Sequence, residues 1–233
     1  MLRGRRVVTD PGGGVTVADT VRWLHDEGLV RLAGVAGRRS GPVAAYTIDV
    51  STGAVSVHPA TGAGVGSDVE TIDADDLPYP AGSASRLLIV GITTSQAVLV
   101  LNLAATLAFS INADRPETVA RAWVTQLLLN EEITLTTNSA AVAIAASPRC
   151  RHSFIPGGGA TMINVDDKQP PITTISFNSA TDGPDQLDVA VDGTAELYLG
   201  TRFWQLAQIM TIDDAAWGGL LAQFDERHSE GTR

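Results

Sequence analysis

Residues 86–130 read RLLIVGITTSQAVLVLNLAATLAFSINADRPETVARAWVTQLLLN. No charge stands between Arg86 and Asp114, but Thr93-Thr94-Ser95-Gln96 and then Asn102 cut the interval into short apolar runs. Runs of this length, rich in Leu, Val and Ile and without polar alternation, are those of strands buried on both faces. The expectation is three strands, over 87–92, 97–103 and 106–111. The same polar breaks lower the mean hydropathy of 87–111, which disfavours a membrane span although its length would suffice.

Immediately after the third strand the chain has the grammar of a helix start. In Asn112-Ala113-Asp114-Arg115-Pro116-Glu117, Asp114 suits the N-cap, Glu117 can close a capping box, and Pro116 fits a first turn whose N–H groups lack intrahelical partners. The helix is expected to end near Asn130, with Val119, Trp123, Leu127 and Leu128 on its buried side by three- and four-residue spacing.

The run QAVLVLNLAATLAFSINADRPETVARAWVTQLLLN resembles the hairpin, strand, loop and helix that open FtsK/SpoIIIE-type P-loop ATPase domains, including those of type VII secretion. It is similar also to the ATPase-like segment of large actinobacterial proteins carrying LysM and transcriptional-activator-like modules, where DLPYP precedes such strands. Both groups carry Asp-Leu where Asn102-Leu103 stands here. The likeness covers about residues 76–130, and residues 187–224 are similar to the closing hairpin and helix of the LysM-associated proteins. A working P-loop needs glycines whose N–H groups cradle phosphates, a Lys for the β- and γ-phosphates and a Ser or Thr for magnesium. The corner here has no glycine and places Glu117 where the Lys would be; Asp114 and Glu117 would repel phosphate, and Thr118 alone keeps the magnesium-side hydroxyl. The resemblance therefore implies a degenerate loop (Asn112, Asp114, Glu117, Thr118), no bound cofactor and a non-catalytic module whose partner is a protein.

Bulk properties agree with a folded, soluble chain. Its 233 residues are long enough to bury a core, and 44% hydrophobic with 18% charged residues argues against wholesale disorder. A net charge of −10 disfavours nucleic acid, whose phosphates are bound by Lys and Arg. A single cysteine, Cys150, excludes an internal disulfide framework and fits a reducing compartment. No apolar h-region follows the basic start, so the expected location is cytoplasmic.

The fold class expected is α/β or α+β: a small N-terminal helix-plus-hairpin unit, then a mixed, largely buried sheet with a helix after its third strand, and a C-terminal hairpin and helix. The boundaries are 1–60 for the first unit, 61–84 for an acidic, Gly- and Pro-bearing linker, 85–225 for the α/β body and 226–233 for a polar tail. Residues 15–32 carry the first helix, which Gly28 ends or kinks, and VAAYTIDV and AVSVHPAT form a hairpin around Ser51-Thr52-Gly53. With Arg22, Arg31, Arg38 and Arg39 nearby, a winged-helix DNA reader is one alternative, though the further helices it needs have no place in the sequence. Asp73, Asp75 and Asp76 lack the further oxygen ligands, the Gly and the closing Glu of a calcium loop, and the histidines are too scattered for zinc, so no metal is expected.

Beyond Asn130, EITLTT, AVAIAAS, ATMINV and ITTISF read as strands, and QLDVAV and TAELYL as a hairpin on the tight-turn pair Asp192-Gly193. FWQLAQIM is a last strand, and Asp213 opens a helix to Phe224. An enzyme built on Cys150 and His152, flanked by Arg149 and Arg151, is the second alternative, because neighbouring cations lower a thiol pKa. Against it, Cys150 also suits the role of a small buried hydrophobe. Phe203, Trp204 and Trp217 are the aromatic candidates for a core or an interaction surface.

Overall fold

The computed structural model describes residues 15–60, 69–84, 86–155, 159–166, 173–179, 183 and 185–231, with side chains described as far as residue 224. Residues 61–68 of the expected linker and 232–233 of the expected tail therefore lie outside the described residues. The architecture is mixed α/β, with helices on a large sheet of 13 strands.

The first helix starts at Thr16, whose hydroxyl accepts from the Asp19 N–H while Asp19 accepts from the Thr16 N–H. It runs as α1 (Val17–Trp23), a π-helical turn (Leu24–Gly28) and α2 (Leu29–Arg38). Gly28 does not end it. A Cβ there would come within 2.9 Å of the Trp23 ring, so Gly28 serves close packing inside the turn. The hairpin follows as expected, β1 (Val43–Asp49) and β2 (Val55–Pro59), and the segment expected as a linker supplies β3 (Glu70–Ile72) and a 3-10 turn over Ala74–Asp76. Arg31 ties that segment to α2 by donating to the carbonyls of Ala74, Leu77 and Pro78.

Within residues 86–130 the chain forms β4 (Leu87–Thr93), β5 (Ala97–Asn102), a 3-10 turn and β6 (Ala108–Asn112), and then α3 (Pro116–Leu128). β4 and β5 are buried on both faces as their composition requires. One face, with Ile89, Val98 and Val100, packs on α1 and α2, and the other, with Leu88, Val90, Leu99 and Leu101, joins the core around α3. No helix among the described residues is long and apolar enough to cross a membrane.

The remaining strands are β7 (Leu135–Thr137), β8 (Cys150–His152), β9 (Met162–Val165), β10 (Thr173–Phe177), β11 (Asp185–Val189), β12 (Ala195–Leu199) and β13 (Arg202–Ile209), before α4 (Asp214–Gly231). The order across the sheet is β3-β2-β1-β5-β4-β13-β12-β11-β6-β10-β9-β7-β8. β1 pairs antiparallel with β5, so the amino-terminal hairpin shares a sheet with the body. β6 lies parallel between β10 and β11. The residues of AVAIAAS form turns rather than a strand, with Val142 N–H bonded to Ser139 and Ser147 N–H to Ile144. Their alternation is real, since Val142 and Ile144 are buried, but alanine-rich chain has little strand preference to extend it. α4 continues to Gly231, past the expected end at Phe224.

α3 is nearly enclosed: nine of its 13 residues are buried, Arg121 and Gln126 among them. The core runs on both sides of it, with Trp123 against Phe109 at 5.2 Å. Leu128, expected inside, is only partly buried at the rim. The sheet bends beside α3, where β4 shifts register against β5 between Ile89 and Gly91, and β13 shifts against β4 between Leu206 and Gln208. There the two backbones approach so closely that a Cβ on Gly91 would lie 2.1 Å from the Gln208 carbonyl oxygen and 2.8 Å from the Ile209 Cα. The clash is with backbone, which cannot swing aside. Gly91→Ala is therefore expected to lower the free energy of unfolding by about 3 kcal/mol or more in urea titration; a change within ±0.5 kcal/mol, the usual range for a surface substitution, would contradict this packing.

Candidate functional site

The strand-to-helix corner at β6 and α3 stands at the C-terminal end of a parallel strand, where open α/β sheets bind ligands. Its polar groups are turned on one another. Asn112 donates from Nδ2 to Asp188 Oδ1 at 2.7 Å and accepts from the Ser110 hydroxyl at 2.8 Å. Asn178 pairs with the backbone of Ala113 in both directions, at 2.9 and 3.0 Å, and holds a left-handed φ of 46° to do so. The chain is thereby pinned just before the helix. The N-cap is Arg115, without a side-chain cap bond, so the expected capping box of Asp114 and Glu117 does not form; Asp114 is exposed one residue too early.

Two carboxylates of the protein itself at this helix start, Glu117 and Asp214, are held by arginine. Arg115 donates to Glu117 at 3.2 Å and to Asp214, at the start of α4, at 2.7 Å. Arg121, buried one turn on, donates to the other Asp214 oxygen at 2.7 Å and to the Ala141 carbonyl at 2.9 Å, with its guanidinium 5.6 Å over the Trp217 ring. Hydrogen bonds from Arg121 and Arg115 hold the Asp214 carboxyl below its ordinary range. The Thr118 hydroxyl donates to the Arg115 carbonyl at 2.9 Å, and the Thr118 carbonyl accepts from Ile212 N–H, also at 2.9 Å. Pro116 has no N–H to offer. What remains is a docking point for α4, neutralised by its own ion pairs.

The other residues singled out by the sequence separate. Cys150 faces the core at 3% exposure, where burial pushes its thiol pKa up, while His152 on the same short strand is exposed. Arg149, which would have activated the thiol, is engaged by the carbonyls of Leu128, Asn130 and Ile133. Trp217 is 4% exposed and belongs to the core; Trp204 is half-buried, edge-on to His58; only Phe203 stands out at 46%. Of the amino-terminal arginines, Arg22 pairs with Asp19, Arg31 is taken up by carbonyls and Glu27, Arg39 pairs with Glu70, and Arg38 is exposed.

Two features escaped the sequence because they join distant strands. A cavity of about 200 Å³ opens between the hairpin and the body, lined by Pro59, Leu101, Asn102, Thr106, Asp185 and Arg202. Beside it Arg202 donates to the Pro59 carbonyl at 2.9 Å, and burial together with the Arg202 charge pushes His58 down to about 4. The other feature is the outer face of β11, β12 and β13, where Gln186, Asp188, Glu196, Tyr198, Phe203 and Gln205 stand in adjacent register.

Burial and a raised pKa both slow a thiol. Cys150 in the native protein is expected to react with iodoacetamide at neutral pH at least about tenfold more slowly than a free model thiol, reaching the free rate only in denaturant. Alkylation faster than the model thiol would contradict its placement.

Comparison of the chain with protein-family models, with curated proteins and with solved structures returned no match.

Proposed function

We propose that this protein is a non-catalytic interaction module, with a P-loop-like strand–corner–helix that does not serve nucleotide and a partner that is another protein. The observation that carries the reading is the set of ion pairs Arg115–Glu117, Arg115–Asp214 and Arg121–Asp214 across the start of α3. A phosphate approaching that helix start would meet two carboxylates, and displacing them would leave Arg121, buried at 6% exposure, without its ionic partner. The resemblance to FtsK/SpoIIIE-type domains supports the same reading, because what this chain shares with them is the pattern of strands and helix and not the phosphate chemistry. A cytoplasmic assembly of the kind in which such domains work is the proposed setting.

Isothermal titration with ATP, with and without magnesium, checks the reading. The expected result is no magnesium-dependent heat at protein concentrations that would detect about micromolar affinity. Saturable magnesium-dependent binding that disappears in Thr118→Ala would overturn it.

A further inference from the structure

The outer face of β11, β12 and β13 is built unlike a merely solvated sheet surface. Asp188 and Glu196 stand directly opposite each other on β11 and β12, and like charges so placed repel. Their cross-strand neighbours are Asn112 on β6 and Gln205 on β13, and among the described residues no ion pair includes either carboxylate. The partners they do have are neutral: Asn112 and Gln186 amides donate to Asp188, at 2.7 and 3.0 Å, and the Tyr198 hydroxyl donates to Glu196 at 2.7 Å. In the next row Tyr198 and Phe203 lie with ring centroids 5.0 Å apart, Phe203 nearly half exposed. Two uncompensated carboxylates thus sit beside an open aromatic pair, with no cation in the same rows.

We propose that this face is the docking surface of the module and that its occupant is an arginine-bearing segment of a partner protein. The inference rests on the interaction-module reading and adds the partner's chemistry. A guanidinium satisfies both halves of the surface at once: its planar N–H fork matches a carboxylate, and its flat face stacks on an aromatic ring. An ammonium reaches the charge but stacks poorly, so arginine is favoured over lysine. A cation there would relieve the repulsion between Asp188 and Glu196, and the net charge of −10 on the whole chain draws a basic partner toward it.

The test is fluorescence anisotropy of the full chain with a labelled peptide of alternating Arg and Ser, alongside its Lys and Gln counterparts, at low and at physiological salt. The expected order of affinity is Arg over Lys, with the Gln peptide not bound. Asp188→Asn/Glu196→Gln should weaken the Arg peptide about tenfold or more, and Phe203→Ala about threefold. Asp75→Asn/Asp76→Asn removes the same charge from an exposed turn elsewhere and should change little. Glu196→Gln alone leaves the Asp188 hydrogen bonds in place and guards against a folding defect in the double variant. Equal weakening by the Asp75/Asp76 variant would show that net charge alone attracts the peptide and would overturn the proposal. So would a wild-type chain that fails to bind at low salt, an outcome that leaves the interaction-module reading standing. Magnesium-dependent ATP binding would remove that reading without any peptide measurement.

Discussion

The side-chain amide of Gln126 is the joint on which the rest of the molecule depends. Inside the core it accepts from the Ile89 N–H at 2.8 Å and donates to the Ile89 carbonyl at 3.0 Å, as a neighbouring strand would. β13 covers that edge of β4 only as far as Val90, whose carbonyl accepts from the Met210 N–H, and then turns away toward α4. Without Gln126, two buried backbone groups of Ile89 would be orphaned, at about 1–3 kcal/mol each. The helix thus completes the sheet edge, and the sheet in turn fixes the depth and rotation of the helix. Close approach at Gly91 arises from the same geometry, because β13 must pass tightly over β4 before it leaves.

Holding α3 this firmly determines what its start can do. Trp123 and Leu127 bury one side against β6 and its neighbours, Gln126 engages β4, and Arg121 reaches Asp214 and Trp217 on α4. The first turn is therefore a structural junction between β6, α3 and α4, with little freedom to rearrange around a ligand. The opposite is true of the outer face of β11 and β12, where side chains meet neutral partners and solvent. Binding chemistry is better served there, on rigid strands whose carboxylates have only neutral partners, than at the crowded first turn of α3.

Much of this was legible in residues 86–130. Apolar runs bounded by Thr93–Gln96 and Asn102 became β4, β5 and β6, and the Asn112–Glu117 corner became the turn into α3, because burial on both faces and a proline at a helix start leave local marks. The Asp192-Gly193 turn and the hairpin around it were legible for the same reason. What failed was whatever depends on a remote partner. Gly28 reads as an end or a kink, and it instead lies within a continuous helix, in a π-helical turn packed on the Trp23 ring. Asp114 and Glu117 spell a capping box, but Asn178, 65 residues away, fixes Ala113 and moves the cap to Arg115. Nothing near Gln126 in sequence announces Ile89, 37 residues away. The cation-free rows of Asp188, Glu196, Tyr198 and Phe203 emerge only once the strand register is known.

Amide hydrogen exchange of Ile89 in the native protein tests the central joint most directly. With its N–H held by Gln126 inside the core, that amide is expected to exchange in the slowest class, released only by global unfolding and accelerated in Gln126→Leu, which keeps the bulk but removes the acceptor. An Ile89 amide that exchanges in the wild-type protein as fast as the exposed loop amides would contradict it.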